Sequence, residues 1–415
     1  MRVTVLFDNL GPYHLARLTA ASGICDLSAI ELRAASQDYR WRREEGATTF
    51  LRRTVFPADQ DCHQGIRRSA RELTRTIEET KPHVVAIPGW SGWHAFATLQ
   101  WCVTNHVPAV LMSESTSTDE PRTGWKEWVK RRYVEMCSAA LVGGERNRDY
   151  LMQLGMPPTK VFFGYDAIDN SYFAEHTRET HRDANAWRQR LSLPENFFLA
   201  SARFIEKKNL PNLIRAYANY RARIDADNTS NLSPKWDLVI LGDGPLRPQL
   251  TTLLHGLNLT EHVHLPGFRQ YDELPRYYAL ANAFIHASIE EPWGLVVNEA
   301  MASRMPVLVS NRCGCAQTLV KEGENGRTFD PQNIAAMTDC LLAISRSSAT
   351  ALDSMGRRSA EIVAEFGPDR FADGLLQAGN AALATHSKPQ RLSDQLLLRS
   401  LLLKNARVLK LRSAP

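Results

Sequence analysis

The stretch AFIHASIEEPWGLVVNEAMASRMPVLVS, residues 283–310, reads as a strand, a loop, a helix and a second strand. An apolar run ends at Ser288, a polar loop follows, a helix is predicted from Leu295, and another apolar run occupies 306–310. Strands that are apolar on both faces and are joined through a helix are typical of a parallel sheet covered by helices. This stretch therefore predicts an α/β fold.

The same alternation extends outward from this stretch through most of the chain. In the second half, a helix is predicted at 210–224, between the first two of the apolar runs at 197–203, 236–242 and 263–267. The first half has comparable runs at 3–7, 83–88, 108–112, 139–144 and 160–165. A chain of 415 residues exceeds what one core usually supports. We therefore predict two doubly wound, Rossmann-like domains that face each other across a cleft.

The domain limits follow from a change in composition. A polar segment between 166 and 194 interrupts the apolar rhythm, and we interpret it as a linker. The predicted domains are residues 1–180 and residues 181–385, followed by a basic amphipathic helix at 386–415. This last helix either packs back onto the N-terminal domain or lies on a membrane surface.

Composition and charge exclude several classes of protein. Hydrophobic residues make up 44% of the chain and charged residues 23%, which excludes a disordered or collagen-like chain. The formal charge of +5 is concentrated in Lys126–Arg132 and Arg391–Arg412. Each run is either a solvated helix face or a surface for anionic lipid or a phosphate-bearing substrate. Nucleic acid binding is not expected, because the net charge is weak.

The termini and cysteines favour a cytoplasmic protein, either free or at the inner face of the membrane. The apolar run before Asp8 is too short for a secretory signal, and no stretch approaches the roughly 18 apolar residues of a membrane span. The seven cysteines are expected to be free thiols. Cys313 and Cys315 form a Cys-x-Cys pair, which alone makes a poor zinc site.

The loop and helix of the opening stretch form the predicted site. Backbone N–H groups of Gly294, Leu295 and Val296 at the helix start make an anion site that fits a diphosphate. Glu291 and Glu299 lie on one loop and the helix after it, so they are badly placed to straddle a glycosidic bond as a glycosidase pair. We predict instead that they accept hydrogen bonds from hydroxyl groups of a donor sugar and a ribose.

Two basic residues complete this site. Arg203 and Lys208 lie at and just after the end of the run 197–203, where they can neutralise the charge that builds on a departing diphosphate. Such a scheme requires no metal. Two Asp-x-Asp pairs occur in polar connections, not after a strand at the cleft: Asp59 with Asp61, and Asp225 with Asp227.

Together these motifs resemble glycosyltransferase family 4, whose members are retaining enzymes of GT-B fold. The resemblance covers most of residues 197–335. It implies transfer of a hexose-type sugar, without a cofactor, from a UDP- or GDP-linked donor to a saccharide, lipid-linked or small-molecule acceptor. The shared elements are Arg-x(4)-Lys at 203–208, GDGP at 242–245, LPGF at 265–268 and Glu-x(7)-Glu at 291–299. Three stretches, at 113–132, 142–155 and 164–173, are similar to a bacterial branch associated with polysaccharide and glycolipid assembly.

The resemblance also implies a role for each residue of the donor site. Gly242 and Gly244 are interpreted as shaping a loop. The implied contacts are Arg203 and Lys208 with the diphosphate, Glu291 with the transferred sugar, Gly294, Leu295 and Val296 with sugar and phosphate, Glu299 with the ribose, and Phe268 and Arg269 with the base.

The N-terminal domain offers further candidates. Gly11 is expected to let the backbone approach the donor, and His14 is either a catalytic or a structural histidine. Relatives carry a histidine after the strand at 108–112, but this chain has Glu114 nearby, which we predict binds sugar hydroxyls or steadies positive charge at the anomeric carbon. Trp90 and Trp93 either stack on sugar rings or pack in the core.

Two other functions remain open at this point. A nucleotide-sugar epimerase or hydrolase of the same fold would keep the donor site, and free sugar as the sole product would identify a hydrolase. A non-catalytic scaffold would have lost polar donor residues, whereas Arg203, Lys208, Glu291 and Glu299 are all present.

Overall fold

A computed structural model describes residues 1–34, 41–43, 46–57, 65–119, 121–227, 235–384 and 392–412. Asp59 and Asp61 lie outside these residues, as does Cys62, one of the seven cysteines. The chain divides into two compact units, one formed by Met1–Ala167 with Pro368–Pro415 and the other by Ile168–Gly367. Each unit contains one parallel sheet flanked by helices, which confirms the predicted α/β class.

The first unit has a seven-stranded parallel sheet with the order β3-β2-β1-β4-β5-β6-β7. Alternate residues of a central strand enter different cores: Val5 packs with Ala86 on one face, and Leu6 packs with Val85 on the other. Its first segment contains β1 (Arg2–Phe7), α1 (Pro12–Ser22), β2 (Asp26–Arg33), β3 (Leu51–Phe56), α2 (Ile66–Glu79), β4 (Val84–Pro88), α3 (Trp93–Asn105), β5 (Ala109–Ser113), α4 (Gly124–Met136), β6 (Ala139–Val142), α5 (Glu145–Gln153) and β7 (Val161–Phe163).

Strands β2 and β3 were not among the predicted runs, because polar side chains interrupt their apolar residues. Glu31 in β2 is fully buried. Its carboxylate accepts hydrogen bonds from Arg43, Arg52 and Thr54, and from the backbone N–H of Leu10. A buried carboxylate needs such partners, and the sequence alone does not reveal them.

The second unit has a six-stranded parallel sheet with the order β10-β9-β8-β11-β12-β13. The run at 283–310 forms β11, α11 and β12, as predicted. The elements are α6 (Asn170–His181), α7 (Ala184–Leu191), β8 (Phe197–Ser201), α8 (Leu210–Ala226), β9 (Asp237–Leu241), α9 (Arg247–Gly256), β10 (Val263–Gly267), α10 (Leu274–Leu280), β11 (Ala283–His286), α11 (Leu295–Ala302), β12 (Val307–Ser310), α12 (Ala316–Leu319), β13 (Gly326–Phe329), α13 (Ile334–Ser345) and α14 (Ala349–Ala364).

The interpretation of 166–194 as a linker was wrong, since α6 and α7 occupy most of it. Asp169 caps α6 by accepting the N–H of Tyr172 at 2.9 Å. Phe173 is fully buried, with its ring against Tyr271 and Tyr278. Phe173 is the one aromatic residue on the buried face of α6, and the other buried residues of this helix are threonines. The helical period of apolar residues is therefore weak in the sequence.

The chain returns to the first unit through α15 (Pro368–Ala384) and α16 (Leu392–Arg412). Helix α15 packs on α1, with Phe371 and Leu375 fully buried. Leu398 of α16 is fully buried in the same core as residues of α3. The compact units therefore differ in their limits from the predicted domains, which placed a boundary at 180 and assigned residues up to 385 to the second domain.

Among the described residues, no helix is long and apolar enough to cross a membrane. The six described cysteines are not in disulfides, as expected, and Cys313 and Cys315 are fully buried.

Candidate active site

The order of strands in the second sheet locates its ligand crevice. Chain order reverses between the neighbouring strands β8 and β11. In open parallel sheets, ligands bind outside the carboxyl ends of the strands at this reversal. Arg203 and Lys208 follow β8, while Glu291 and Gly294 follow β11. The topology thus brings both halves of the predicted donor site to one place.

The loop that carries Lys208 is held against the loop after β11. Ile289 donates its backbone N–H to the carbonyl oxygen of Lys207 at 2.9 Å. Asn209 is buried in the left-handed backbone region, with φ of 57°. Its side-chain amide donates to the carbonyls of Ala287 at 3.2 Å and Pro331 at 2.7 Å. These bonds fix Lys208 relative to the β11 loop.

Glu291 is the centre of a compact polar cluster. Its Oε2 atom accepts a hydrogen bond from the Lys208 ammonium group. The same oxygen lies 3.1 Å from Nε2 of His286 and 3.3 Å from the hydroxyl of Ser288. The Ser288 hydroxyl is also 3.1 Å from Nε2 of His286. Three polar side chains therefore orient one carboxylate oxygen.

The protonation states in this cluster follow from its surroundings. Burial opposes ionisation of Glu291, but the His286 hydrogen bond and the Lys208 charge outweigh it and hold the pKa of Glu291 well below its usual range. Burial lowers the pKa of His286, against the opposing influence of Glu291. At neutral pH, Glu291 is an anion and His286 is neutral. An ionised carboxylate only accepts, so the His286 tautomer that fits carries its proton on Nε2.

His286 and Ser288 were not among the predicted site residues. The sequence does carry a signal for them, since both are polar side chains at the end of the otherwise apolar run AFIHAS at 283–288. In a parallel sheet, the carboxyl end of such a strand faces the ligand crevice.

The start of α11 follows this cluster directly. Gly294 has φ of 106° and precedes Leu295, the first helical residue. Glycine adopts a positive φ at lower cost than other residues, because it has no Cβ atom. The first N–H groups of a helix have no acceptor within it and attract anions. Trp293 is buried beneath this turn and donates its indole N–H to Asn298 at 3.0 Å.

A second loop, after β12, packs against the loop that carries Glu291. Gly314 donates its N–H to the carbonyl of Glu291 at 2.9 Å, and Cys315 donates to the carbonyl of Trp293 at 3.1 Å. A Cβ atom on Gly314 would collide with the carbonyl oxygen of Pro292. The close approach of these two backbones therefore requires glycine at this position.

Glu299, predicted to contact a ribose, lies inside the second unit. Its side chain is fully buried, and the hydroxyl of Tyr278 donates to its Oε2 atom at 2.6 Å. Burial, followed by the Glu299 charge, raises the pKa of Tyr278 well above its usual value, so Tyr278 remains a donor. The ribose contact stays a prediction.

Arg203 lies on a loop shaped by the GDGP turn. Phe204 donates its N–H to the carbonyl of Asp243 at 2.8 Å. A Cβ atom on Gly242 would collide with the carbonyl of Ala202, and one on Gly244 would crowd the backbone of Phe204. The interpretation of both glycines as loop-shaping residues agrees with this packing.

The LPGF element places Phe268 and Arg269 after β10, at an outer strand of the sheet. Arg269 donates to the carbonyl of Pro266 at 3.1 Å, and its guanidinium group lies 5.5 Å from the ring centre of Tyr277. Contact of Phe268 and Arg269 with a base also stays a prediction.

In the first sheet, chain order reverses between β1 and β4, and His14 follows β1. The N–H of Gly11 donates to Nδ1 of His14 at 3.2 Å. Burial, with the nearby Arg17 charge, lowers the pKa of His14 to about 3. A ring of this pKa accepts protons poorly at neutral pH. Gly11 has φ of −95°, so its conformation does not itself require glycine.

A second histidine, His94, lies in the first turn of α3, the helix that follows β4. Burial lowers the pKa of His94 to about 4, while the nearby Asp8 charge raises it and the Arg33 charge lowers it. Asp8 pairs with Arg33 at 2.9 Å. Asp8 and Arg33 were not predicted as site residues, although Asp8 is the first residue after β1. Polar groups thus gather at this reversal as well.

Glu114 follows β5, and its backbone is fixed by a neighbouring side chain. Asn147 is buried and donates its amide to the carbonyl of Glu114 at 2.6 Å. The role predicted for the Glu114 carboxylate stays a prediction. Trp93 is buried in the core, in line with the packing alternative, and Trp90 is partly buried with its ring against Tyr133 and Tyr150.

Acidification is expected to destabilise the first unit through His14 and His94. The unfolded chain takes up protons near the ordinary histidine pKa of 6.5, whereas the folded rings do so only near 3 and 4. The contribution of the two rings to the free energy of unfolding is therefore fully present above pH 6.5, and it is lost as the pH decreases below that value. Since both rings are partly exposed, we expect roughly 1–2 kcal/mol per ring between pH 7 and pH 5, measured by urea unfolding.

The matched variants are His94→Gln and His255→Gln. His94→Gln should flatten the dependence of the unfolding free energy on pH, whereas His255 is exposed in the second unit and its variant should keep the wild-type slope. Equal slopes in all three proteins would show that His94 is not a source of the pH dependence.

The strand order and the likeness to solved structures together define the fold class, GT-B, built from two Rossmann-like parallel-sheet units. Residues 181–359 match the family model described as glycosyl transferases group 1. This match covers somewhat less than half of the chain and agrees with the predicted resemblance at the level of the family.

Individual proteins agree with this assignment. The phosphatidylinositol monomannoside mannosyltransferase of Mycobacterium tuberculosis, named as GDP-mannose-dependent and alpha-(1-6), is 30% identical over 165 residues, which are 38% of this chain and 40% of that protein. Alpha-monoglucosyldiacylglycerol synthase of Acholeplasma laidlawii is 27% identical over 206 residues, 49% of this chain and 48% of that protein. The chain thus spans about half or less of these relatives.

Solved structures match over nearly the whole fold. The crystal structure of Anabaena Alr3699/HepE in complex with UDP-glucose has a TM-score of 0.70 at 17% identity. The match covers 91% of this chain and 98% of that chain. It confirms the predicted GT-B fold.

Proposed function

We propose that the protein is a retaining glycosyltransferase that moves a hexose-type sugar from a nucleotide diphosphate to a saccharide, lipid-linked or small-molecule acceptor. The observation that carries this proposal is the largely buried Glu291 anion between Lys208 and His286, just before the N-terminus of α11. A carboxylate for sugar hydroxyls thus adjoins a cation and a helix start, both suited to phosphate.

In this proposal each group meets a different part of the donor. The diphosphate lies at the N–H groups of Gly294, Leu295 and Val296 and is neutralised by Arg203 and Lys208. As the bond between the anomeric carbon and the phosphate oxygen breaks, its electron pair passes to the phosphate, where these charges stabilise it. Preorganised charges need no rearrangement at that moment, which is why they lower the barrier.

Glu291 would hold the sugar itself. Because its pKa is held well below the usual range, it stays ionised across the physiological pH range and accepts hydrogen bonds from hydroxyl groups. His286 acts here as a positioning residue, because its ring contacts the same Glu291 oxygen as Lys208. Glu299, Phe268 and Arg269 are proposed to bind the nucleoside.

Retention of configuration is proposed to proceed on one face of the sugar. The acceptor oxygen forms the new bond to the anomeric carbon on the face that the phosphate leaves. The acceptor hydroxyl proton passes to the departing phosphate oxygen. This route leaves His14 without a proton to accept, in line with its low pKa. Glu114 is proposed to steady positive charge at the anomeric carbon.

Metal independence is part of the proposal. Arg203, Lys208 and the start of α11 supply the positive charge that a metal ion supplies elsewhere. Both described aspartates of an Asp-x-Asp pair are in ion pairs, Asp225 with Lys235 and Asp227 with Arg346.

The names of the relatives support a lipid-linked acceptor. One is named for a phosphatidylinositol mannoside and one for a diacylglycerol glycolipid. The first is also named as GDP-mannose-dependent, which keeps GDP beside UDP as a donor nucleotide. A role in polysaccharide or glycolipid biosynthesis on the cytoplasmic side of the membrane follows as a proposal.

A panel of UDP-, GDP-, ADP- and dTDP-sugars, each with EDTA, tests the proposal. One donor is expected to raise the unfolding temperature and to be turned over in chelator, with the anomeric configuration retained in the product. Activity that is lost in EDTA and restored by a divalent cation would contradict metal independence. Free sugar as the sole product with every acceptor class would favour a hydrolase, and no response to any donor would favour a scaffold.

A further inference from the structure

Large hydrophobic side chains are exposed together on two helices of the first unit. Among the described residues, the four most exposed large hydrophobic side chains all lie on α4 and α16. Since single exposed hydrophobic residues are normal but clusters are not, this concentration indicates an interaction surface. The exposed fractions are 54% for Trp125, 55% for Trp128, 64% for Leu396 and 47% for Leu403. These four residues define the α4–α16 surface.

The two helices lie side by side in opposite directions. Arg132 near the end of α4 pairs with Asp394 near the start of α16. At the other end, the Lys404 ammonium group lies 4.3 Å from the ring centre of Trp125. Leu396 and Leu403 are seven positions apart, so they share one face of α16. Leu398 points inward and is fully buried, which fixes that face outward.

Positive charge surrounds these hydrophobic residues. Helices α4 and α16 contain nine Lys and Arg against three Asp and Glu, a net charge of +6, while the whole chain carries +5. The rest of the chain is therefore close to neutral. The three acidic residues are in ion pairs within the two helices: Glu127 with Lys130, Glu135 with Arg132, and Asp394 with Arg132. Four basic residues are exposed, namely Lys126, Arg131, Arg399 and Lys404.

We propose that the α4–α16 surface docks on an anionic lipid membrane. Tryptophan and leucine side chains enter the boundary between head groups and acyl chains, where an indole ring has both an apolar body and a polar N–H group. Lysine and arginine side chains contribute by attraction to the negative head groups and extend toward them. The surface binds lipid independently of the donor, so it does not rest on the proposed transfer reaction.

Charge selects a membrane over a second copy of the chain. Self-association through this surface would bring the exposed Lys126, Arg131, Arg399 and Lys404 of two copies together, and their mutual repulsion opposes binding at low salt. An anionic membrane offers the opposite charge. The combination of two tryptophans, two leucines and a net positive charge on adjacent helices thus matches a lipid surface.

Flotation of the full-length protein with vesicles tests this inference. Vesicles of phosphatidylcholine alone are compared with vesicles of phosphatidylcholine and phosphatidylglycerol, at low and high salt. The wild type is expected to float with the anionic vesicles and to bind at least roughly tenfold less to the neutral ones or at high salt.

Two variants address the two kinds of contact. Trp125→Ser with Trp128→Ser is expected to lower binding to anionic vesicles roughly tenfold or more by removing the inserted rings. Lys126→Glu with Arg131→Glu is expected to lower it roughly a hundredfold by reversing two charges. All four substituted side chains are exposed, so both variants are expected to fold. Circular dichroism and thermal unfolding verify this.

Matched controls change the same chemistry elsewhere. Arg178→Glu with Arg215→Glu reverses two exposed charges on helices of the second unit, and Leu257→Ser removes an exposed hydrophobic side chain there. Both controls should bind vesicles as the wild type does. The proposal would be overturned if the wild-type protein did not float with anionic vesicles at low salt. It would also be overturned if the folded α4 variants floated as well as the controls do. A dimer in sedimentation that both α4 variants abolish, while no vesicle binding is seen, would overturn it as well.

Discussion

Glu291→Gln is expected to lower donor turnover roughly 10²–10³-fold. Glutamine keeps the size of the side chain but removes the charge. The Lys208 ammonium group then loses its anionic partner, and sugar hydroxyls lose a charge-assisted acceptor. Because the Glu291 side chain is only 14% exposed, water replaces these interactions poorly. Steady-state kinetics with the donor identified by the sugar-nucleotide panel give the loss in kcat and in kcat/KM.

Glu290→Gln is the control for this experiment. Glu290 precedes Glu291 in the same loop and is partly exposed, so the substitution makes the same chemical change one position away. It should stay within about threefold of the wild type, since surface substitutions have small effects. A Glu291→Gln protein that folds and turns over donor like Glu290→Gln would remove Glu291 from the proposed mechanism. Thermal unfolding separates this outcome from loss of the fold.

Gly314→Ala is expected to have the second largest effect. The new Cβ atom would collide with the Pro292 carbonyl oxygen, so the loop from Glu291 to Gly294 must move. Displacement of a reacting group by about 1 Å can lower turnover roughly 10²-fold. Gly314 itself makes no proposed contact with the donor, and the loss would therefore arise from position alone. Calorimetry measures the change in donor affinity, and steady-state kinetics measure the change in turnover.

Gly256→Ala is the matched substitution in the same unit. A Cβ atom on Gly256 meets nothing within 4 Å, and its backbone does not have positive φ. We expect wild-type turnover and equal or slightly higher stability, because alanine favours a helix more than glycine does. If Gly314→Ala also retained wild-type turnover, the packing of the β12 loop on the Glu291 loop would not matter for activity.

Most strands and the donor-side elements were predictable from local pattern. Runs such as 236–242 and 283–288 are apolar along their length, since both faces of a parallel sheet are covered. Strand β2 and helix α6 escaped prediction for the same physical reason. Their buried faces include polar groups, Glu31 in β2 and Thr177 in α6, so the apolar period is broken.

The sequence also predicted the residues that follow the strands of the second sheet. Lys208 and Glu291 could be identified because ligands of parallel sheets bind at the carboxyl ends of strands. His286 could have been found by the same rule, as a histidine that ends an apolar run. Asp8 carries the same signal in the first unit, directly after β1.

By itself, the sequence determined the α/β class and the strand–loop–helix unit at 283–310. It also identified the glycine and the carboxylates around α11 as candidate site residues. Each of these features follows from the pattern of residues that are close together in the chain. Tertiary structure decided which distant groups meet. Lys208 and Glu291 are 83 positions apart, and their contact, with His286 beside them, sets the charge of the site. It also decided that α16 returns to the first unit, with Leu398 buried and Leu396 exposed. Such outcomes depend on packing between segments far apart in the chain, and a local pattern carries no record of that packing.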